Sequence, residues 1–257
     1  MSGTADVPLA GRAVLVTGAS SGIGQAIAVA CARAGADIGL TYRANEAGAQ
    51  EVAREIRALG RQAVVMQLNL TDARSVGAVG PAARDALGRL DVWVNNAGAD
   101  ILTGSGALLP TIEKLDLLLA VDLRGTMLAS WQAAELMGAQ EQGGVIINMS
   151  WDHVLTGMAG ANPQLYAAVK GGVLAFSKSL ARSVAPRVRV NVLAPGWIET
   201  SFGAGANERL RQQVAESTPL KRWGMPEDVA GAAVFLASPA ASFITGQMML
   251  VGGGVVM

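Results

Sequence analysis

The sequence RAVLVTGASSGIGQAIAVACARA, residues 12–34, holds three consecutive patterns that decide the fold. Residues 12–17 form a short apolar run, which is typical of a central strand covered on both faces. Residues 18–24 are a glycine-rich turn, and the helical pattern of residues 25–34 stops at Gly35. A helix N-terminus offers free N–H groups and a partial positive charge to a phosphate. The stretch therefore predicts a nucleotide site, although its G-x-x-x-G-x-G spacing differs from the usual G-x-G-x-x-G.

The second predicted strand, residues 37–42, ends at Tyr42 and Arg43. An acidic residue near this point would bind the ribose diol of adenosine and favour NAD. A guanidinium suits a 2′-phosphate instead, and Ser20 and Ser21 could add hydroxyl donors. The sequence therefore favours NADP over NAD. The alternative is that Arg43 is a solvated residue at a strand end.

Helical and strand patterns alternate through the first half of the chain. A helix is predicted over residues 45–59, a strand over residues 62–68, and a further helix up to Leu87 with Thr71 or Asp72 as its cap. Strands that alternate with helices of this length predict βαβ units and a parallel sheet. The predicted fold class is α/β, a doubly wound, Rossmann-like parallel sheet that binds ligands at the carboxyl ends of its strands.

Length and composition fit a single domain. The chain has 257 residues, 51% hydrophobic and 16% charged, which is ample material for a core. The net charge of +0 predicts neither a nucleic-acid nor a membrane partner. Residues 1–10 are predicted to be a flexible tail without a signal-peptide pattern. The uncharged run 229–257, broken by Pro239 and three glycines, is predicted to be a buried helix, a turn and a buried strand. We therefore expect one domain over residues 11–257 of a cytoplasmic protein.

Tyr166 and Lys170 lie at the start of another helical pattern, four residues apart and thus on one helix face. A phenol has a reference pKa of about 10, and a nearby cation favours the phenolate. Such a pair could exchange a proton with a carbinol oxygen near neutral pH. The spacing also occurs by chance, so its meaning depends on the motifs around it.

Together these motifs resemble those of the short-chain dehydrogenase/reductase family, in particular its members similar to 3-oxoacyl-ACP reductase. The family patterns fall at residues 17–24 (T-G-x-x-x-G-x-G), 95–98 (N-N-A-G), 166–170 (Y-x-x-x-K), 195–196 (P-G) and within 235–253. The resemblance extends from about Gly11 to Gly254. It implies a nicotinamide cofactor and no metal ion, and Arg43 makes NADP(H) the expected form in preference to NAD(H).

The resemblance also implies which residues surround the cofactor. They come from the glycine-rich turn, the strand ends, the helix of the Y-x-x-x-K motif and the P-G segment: Gly18, Ser20, Ser21, Gly22, Ile23, Gly24, Tyr42, Arg43, Asn69, Leu70, Asn96, Ala97, Gly98, Tyr166, Lys170, Pro195, Gly196, Ile198 and Thr200. Residues 196–219 resemble the family's substrate lid.

The resemblance implies the chemistry of the central pair. In the family, the tyrosine protonates the substrate oxygen, and the lysine holds the nicotinamide ribose and lowers the pKa of the tyrosine. Tyr166 is therefore implied to be the general acid/base and Lys170 its electrostatic partner.

One family position has changed where a serine hydrogen-bonds the substrate carbonyl. An ungapped reading of the preceding strand puts Trp151 at this position, whereas counting back from Tyr166 gives His153. Four side chains are candidates for the role: Ser150, Trp151, Asp152 and His153. Asp152 is favoured, since some pteridine-reducing relatives use an aspartate, and Ser150 is second.

A second family position has changed at Asp122, where an asparagine usually holds a water in a proton relay to the lysine. The charge of Asp122 would raise the pKa of Lys170 and offset part of its effect on Tyr166. We therefore expect a more alkaline pH optimum than is usual. The alternative is that Asp122 bonds backbone amides away from the relay.

These observations predict an NADP-dependent carbonyl reductase or alcohol dehydrogenase for a small ketone or a 3-oxoacyl thioester. A pterin- or C=N/C=C-directed reductase is an alternative, favoured by Asp152 in place of the serine. An NADP-binding protein with little turnover is another, favoured by the two changed positions and opposed by the retention of Tyr166 and Lys170. The resemblance also implies a homo-oligomer, either a tetramer or a dimer.

Overall fold

Seven strands form one parallel sheet in the computed structural model, which describes residues 7–204 and 206–257. In chain order the strands are β1 (Ala13–Val16), β2 (Asp37–Tyr42), β3 (Ala63–Gln67), β4 (Val92–Asn95), β5 (Gly144–Met149), β6 (Val188–Pro195) and β7 (Met248–Val251). Their order across the sheet is β3-β2-β1-β4-β5-β6-β7, and all neighbours pair in parallel. The strand order reverses between β1 and β4, so the predicted doubly wound fold is confirmed.

Helices cover both faces of this sheet. They are α1 (Gly22–Arg33), α2 (Glu46–Ala58), α3 (Ala73–Leu87), α4 (Gly104–Ala107), α5 (Thr111–Leu118), α6 (Thr126–Gly138), α7 (Ala161–Val184), α8 (Ser201–Ala204), α9 (Glu208–Ser217) and α10 (Pro226–Ala237). The helices α1, α2 and α10 pack on one face, and α3, α6 and α7 pack on the other. Every residue of β1 is buried, as its apolar sequence requires.

Side-chain caps set the start of two helices. The Asn45 side chain accepts a hydrogen bond from Gly48 N at the start of α2. Asp72, the second of the two predicted cap residues, accepts one from Arg74 N at the start of α3. At the end of α1, Gly35 has a φ of +96°, a conformation that favours glycine. The local sequence therefore determines where these elements begin and end.

The N-terminal segment is attached to the domain from residue 7 onward. Leu9 is fully buried in the core beside α1, and its N–H donates to the Ala34 carbonyl at 2.8 Å. The prediction of a flexible tail over residues 1–10 is therefore wrong for residues 7–10. Residues 1–6, the rest of that predicted tail, lie outside the described residues.

A π-helical segment, Leu119–Gly125, connects α5 to α6 without a break. Such segments are rare and often mark functional sites. Asp122 lies in the middle of this segment and is fully buried. Its side chain faces α7, which carries Tyr166 and Lys170.

The uncharged run 229–257 forms most of α10, a short 3₁₀ turn (Pro239–Ala241) and β7. This agrees with the predicted helix, turn and strand, but the strand is not buried as predicted, because all four residues of β7 are only half-buried. Among the helices in residues 7–204 and 206–257, none is long and apolar enough to cross a membrane.

Candidate active site

A cavity of about 920 Å³ lies at the carboxyl ends of the strands. Its lining residues follow β1 to β6, so six strand ends contribute to one site. In doubly wound sheets this edge is where ligands bind. All of the predicted cofactor residues line the cavity except Gly22 and Gly24, which shape the glycine-rich turn.

The glycine-rich turn leaves no room for side chains. A Cβ on Gly24 would lie 2.3 Å from the Gly18 carbonyl oxygen, and one on Gly18 would lie 2.8 Å from the Ala97 Cα. Asn96 holds the turn in place, since its Nδ2 donates to the Thr17 and Gly18 carbonyls at 3.0 and 3.1 Å. The glycines therefore let the turn pack closely against Asn96 and Ala97 at the start of α1, where helix N–H groups can bind a phosphate.

The end of the cavity beyond β1 and β2 is lined by Ser20, Ser21, Tyr42 and Arg43. Arg43 is exposed, and its guanidinium has no hydrogen bond or ion pair within the described part of the chain. An unpaired guanidinium at this position is available to an anionic group.

Tyr166 and Lys170 line the cavity from one face of α7. The Lys170 Nζ lies 5.5 Å from the centroid of the Tyr166 ring. It also lies 2.8 Å from Asp122 Oδ1 and donates to the Met149 carbonyl at 3.4 Å. Both partners of the ion pair are buried, so solvent screens it little.

Burial and neighbouring charges shift the pKa values of Tyr166 and Lys170 in opposite directions. Burial lowers the pKa of Lys170, but the charges of Asp122 and Tyr166 outweigh burial and raise that pKa to about 12. Burial raises the pKa of Tyr166; the charge of Lys170 lowers it, and the charges of Asp122 and Asp100 raise it further. At neutral pH the lysine is therefore charged and the phenol is protonated.

Asp122 acts from behind the cavity, since it does not line it. While its Oδ1 faces Lys170, its Oδ2 accepts a hydrogen bond from the Ala99 N–H at 2.8 Å. A Cβ on Gly98 would lie 2.7 Å from Asp122 Oδ1, so the neighbouring turn also requires a glycine. Both alternatives for Asp122 are thus partly met: it bonds a backbone amide and it pairs with the lysine.

Of the four candidates for the serine position, Ser150 and Trp151 line the cavity. The Ser150 hydroxyl donates to the Lys170 carbonyl at 2.9 Å, so its proton is already used. The Trp151 ring lies edge-on to Tyr166, with centroids 5.6 Å apart. Within the described residues, the Trp151 indole N–H has no hydrogen-bond partner.

The other two candidates, Asp152 and His153, are buried outside the cavity lining. Asp152 Oδ1 lies 2.6 Å from His153 Nδ1 and accepts the His153 backbone N–H at 2.7 Å. Its Oδ2 points toward Gly196 and Gly252, where an added Cβ would lie within 2.6 Å of it. Burial raises the pKa of Asp152, and the hydrogen bond and charge of His153 oppose this. The structure therefore does not place Asp152 where it could hydrogen-bond a substrate in the cavity, contrary to the expectation from the sequence.

A buried polar network beneath the site was not predicted from the sequence. Asn95 Nδ2 donates to Asn148 Oδ1 at 2.8 Å, and Asn148 Nδ2 donates to Ser177 Oγ on α7 at 2.9 Å. Ser130 on α6 bonds both asparagines. The network ties β4 and β5 to the helix that carries Tyr166. The signal for it was available, since Asn148 is a polar residue within an apolar strand.

The segment predicted to be a lid, residues 196–219, contains α8 and α9. Arg211 on α9 bonds Glu199 at 2.5 Å and the Gly203 carbonyl at 2.7 Å. The beginning of the segment, including Trp197 and Thr200, lines the cavity.

Comparison with known proteins gives consistent similarities. Residues 18–256 match a family model described as enoyl-(acyl carrier protein) reductase. The chain is 38% identical over 252 residues to a 3-oxoacyl-[acyl-carrier-protein] reductase of Synechocystis sp., which covers 97% of this chain and 98% of the relative.

Two solved structures have nearly the same fold over nearly the whole chain. A 7α-hydroxysteroid dehydrogenase in complex with NADH and 7-oxo glycochenodeoxycholic acid has a TM-score of 0.88 and 31% identity, over 100% of this chain and 98% of that one. A variant of a short-chain dehydrogenase/reductase from Serratia marcescens has a TM-score of 0.88 and 32% identity, over 97% and 100%.

Proposed function

Because the chain belongs to the short-chain dehydrogenase/reductase family of nicotinamide-dependent carbonyl and alcohol oxidoreductases, we propose that it reduces a carbonyl substrate with NADPH. One observation carries this proposal: the Tyr166 phenol lines a large cavity beside a lysine that an ion pair keeps charged. A small ketone or a 3-oxoacyl thioester is the proposed substrate class.

The residues at the strand ends fit an NADP molecule. The glycine-rich turn is packed too closely to hold a Cβ at Gly18 or Gly24, and it leads into the N-terminus of α1, which can bind a phosphate. The unpaired Arg43 supports a 2′-phosphate, with Ser20 and Ser21 beside it. Pro195, Ile198 and Thr200 would lie at the nicotinamide end. When bound, the nicotinamide supplies a hydride for reduction or takes one for oxidation.

In this proposal Tyr166 gives its proton to the carbonyl oxygen during reduction. Burial keeps the phenol protonated at neutral pH, so the proton is present when it is needed. The charge of Lys170 stabilises the phenolate that remains, and Asp122 holds the lysine in place. In the reverse reaction the phenolate takes the proton of the alcohol.

We assign the second hydrogen bond to the substrate oxygen to the Trp151 indole N–H, in place of the family's serine. Trp151 lines the cavity and lies edge-on to Tyr166, and its N–H has no partner among the described residues. Asp152 then has a positioning role, because it fixes His153, whose ring stacks on Trp151 at 4.9 Å. The pterin-directed alternative depended on Asp152 binding the substrate in place of the serine, so in this proposal Asp152 no longer favours it.

We also propose a homo-oligomer, a tetramer or a dimer, in the cytoplasm. An apolar groove on the face of α5, the π segment and α6 supports self-association. Leu119 and Trp131 in this groove are 40% and 49% exposed. The proposed lid is residues 196–219.

NADPH oxidation with a panel of ketones, 3-oxoacyl thioesters, quinones and pterins tests the proposed function, with NADH measured alongside. We expect turnover of at least one ketone or thioester and a higher kcat/KM with NADPH. Tight NADPH binding without turnover of any compound would contradict the proposal and favour a nucleotide-binding protein.

The role of Trp151 is tested by Trp151→Phe, which keeps a ring and removes the N–H. We expect kcat to fall about 10²-fold, as when one oxyanion donor is lost. Ser150→Ala is the matched comparison, since Ser150 lines the same wall and its hydroxyl is bonded to the backbone. A larger loss of kcat in Ser150→Ala than in Trp151→Phe would assign the hydrogen bond to Ser150.

A further inference from the structure

Aromatic rings surround the part of the cavity beside Tyr166. Trp151 stacks on His153 with ring centroids 4.9 Å apart and an interplanar angle of 25°. His153 meets Trp197 at 6.5 Å, and Trp197 meets Trp223 at 5.6 Å. Aromatic residues make up only 4% of the chain, yet three of its five tryptophans lie in this cluster. We call Trp151 and Trp197, which line the cavity, the aromatic wall.

Other side chains hold both rings of the aromatic wall in position. His153 lies behind Trp151, and the buried carboxylate of Asp152 fixes the His153 ring at 2.6 Å. Trp223 packs against Trp197, and its Nε1 donates to the Arg211 carbonyl at 3.1 Å. A surface that is already ordered loses little conformational entropy when a ligand binds to it.

In the described part of the chain, the substrate end of the cavity has no cation that could bind an anionic substrate group. Among the described residues that line the cavity, Arg43 and Lys170 are the cationic ones. Arg43 lies after β2, at the adenosine end, and Lys170 is paired with Asp122. The further lining includes the apolar Leu102, Leu109 and Met158. It also includes Asp100, whose carboxylate accepts hydrogen bonds from the Leu102 and Thr103 N–H groups and would repel an anion. A carboxylate or phosphate would therefore lose its hydration without gaining an ion pair.

We propose that the substrate is a neutral, flat carbonyl compound whose conjugated ring stacks on Trp197 of the aromatic wall, an aryl ketone being the simplest case. This rests on the proposed function, because it names the substrate class of the same reaction. Aromatic pairs with centroids 4.5–7 Å apart gain affinity beyond the area that they bury, by about two- to tenfold. A flexible acyl chain would bury similar area without this gain.

The decisive comparison is between 1-tetralone and 1-decalone, which share one carbon skeleton and differ in whether the second ring is aromatic. Calorimetry would measure the binding of each ketone to the NADP⁺ complex of Tyr166→Phe, in which no hydride is available to reduce the ketone. We expect 1-tetralone to bind about two- to tenfold more tightly. Hydrophobicity cannot explain this result, since the saturated ketone is the more hydrophobic. Equal or weaker binding of 1-tetralone would overturn the inference.

Variants of Trp197 assign the preference to the aromatic wall. Trp197→Leu should remove most of the 1-tetralone preference, and Trp197→Phe should retain it. Phe243→Leu is the control, because Phe243 is fully exposed and does not line the cavity. An unchanged preference in Trp197→Leu, or an equal loss in Phe243→Leu, would overturn the assignment.

Measurements of turnover distinguish a failure of this inference from a failure of the proposed function. If 1-tetralone binds preferentially but no carbonyl compound is reduced by the unaltered enzyme, the aromatic wall stands and the reductase proposal fails. If the enzyme reduces an uncharged 3-oxobutyryl N-acetylcysteamine thioester and binds 1-tetralone no better than 1-decalone, the reductase proposal stands and this inference fails.

Discussion

Asp122 lies outside the cavity but changes the pKa values of both Tyr166 and Lys170. Its carboxylate is fully buried and lies 2.8 Å from the Lys170 Nζ. It raises the pKa of Lys170 and also that of Tyr166. The lysine therefore lowers the pKa of the Tyr166 phenol and the aspartate raises it. As a result, the phenol releases its proton at a higher pH than it would with the lysine alone.

Replacing Asp122 with Asn should shift the pH dependence of alcohol oxidation to lower pH. Oxidation needs the deprotonated phenol, and removal of the carboxylate lowers the pKa of Tyr166. The rising limb of kcat/KM against pH therefore begins at a lower pH. Asp116→Asn, an exposed carboxylate in α5, is the control and should leave the profile unchanged. A profile that does not move in Asp122→Asn would refute this electrostatic role.

For single residues, the sequence predicted the tyrosine–lysine pair and four candidates for the changed serine position. It did not predict that Trp151, and not Asp152, faces the cavity beside Tyr166. Trp151 is extended, and a 3₁₀ turn over Asp152–Val154 follows it at once. This turn buries Asp152 and His153 and leaves Trp151 facing the cavity. Strand alternation could not predict this, since the strand ends at Met149.

At the scale of elements, the Gln132 side chain supplies a hydrogen bond that the neighbouring helix α3 lacks. Pro81 lies inside α3 and has no N–H to offer the Gly77 carbonyl. Gln132 on α6 donates its amide to that carbonyl and accepts from the Gly80 N–H at 3.3 Å. One side chain thus satisfies two backbone groups near the proline and joins α3 to α6.

We expect Gln132→Ala to lower the free energy of unfolding in urea by about 1 kcal/mol, because the Gly77 carbonyl loses its donor. In a Pro81→Ala background the same change should have little effect, since the alanine introduced there can supply the missing N–H. Gln50→Ala, an exposed glutamine on α2, is the control and should be neutral. Equal losses in both backgrounds would show that Gln132 stabilises the protein in another way.

Most element bounds were predictable because local chemistry sets them. Asp72 and Asn45 cap their helices, and Gly35 ends α1. The burial of Leu9 and the π geometry around Asp122 were not predictable, because they depend on packing against distant elements. Both are tertiary effects that a local pattern does not contain.

At the scale of the whole molecule, the sheet order collects residues distant in sequence into one site. Asn95, Asn148 and Ser177 are joined only because β4 and β5 are neighbours and α7 packs on them. Alternating helices and strands predicted this arrangement in outline. The pairing of particular side chains could not be predicted, because it depends on the register between strands.

The proposed self-association is also a property of the whole molecule. Trp131→Glu would put a charge into the apolar groove of α5, the π segment and α6. We expect sedimentation velocity to show a smaller assembly, since an unpaired charge at an interface is strongly unfavourable. Leu59→Glu, at a similarly exposed leucine after α2, should leave the assembly unchanged. An unaltered assembly in Trp131→Glu would contradict this choice of surface.

The central claim is that Tyr166 transfers the proton at the substrate oxygen, and that the positive charge of Lys170 stabilises the phenolate that remains. The most direct test measures the NADPH-dependent reduction rate and the NADPH affinity of Tyr166→Phe, which keeps the ring and removes the phenol. The account predicts a loss of about 10²- to 10⁴-fold in kcat with NADPH affinity little changed. A Tyr166→Phe variant that retains the activity of the unaltered enzyme would contradict it.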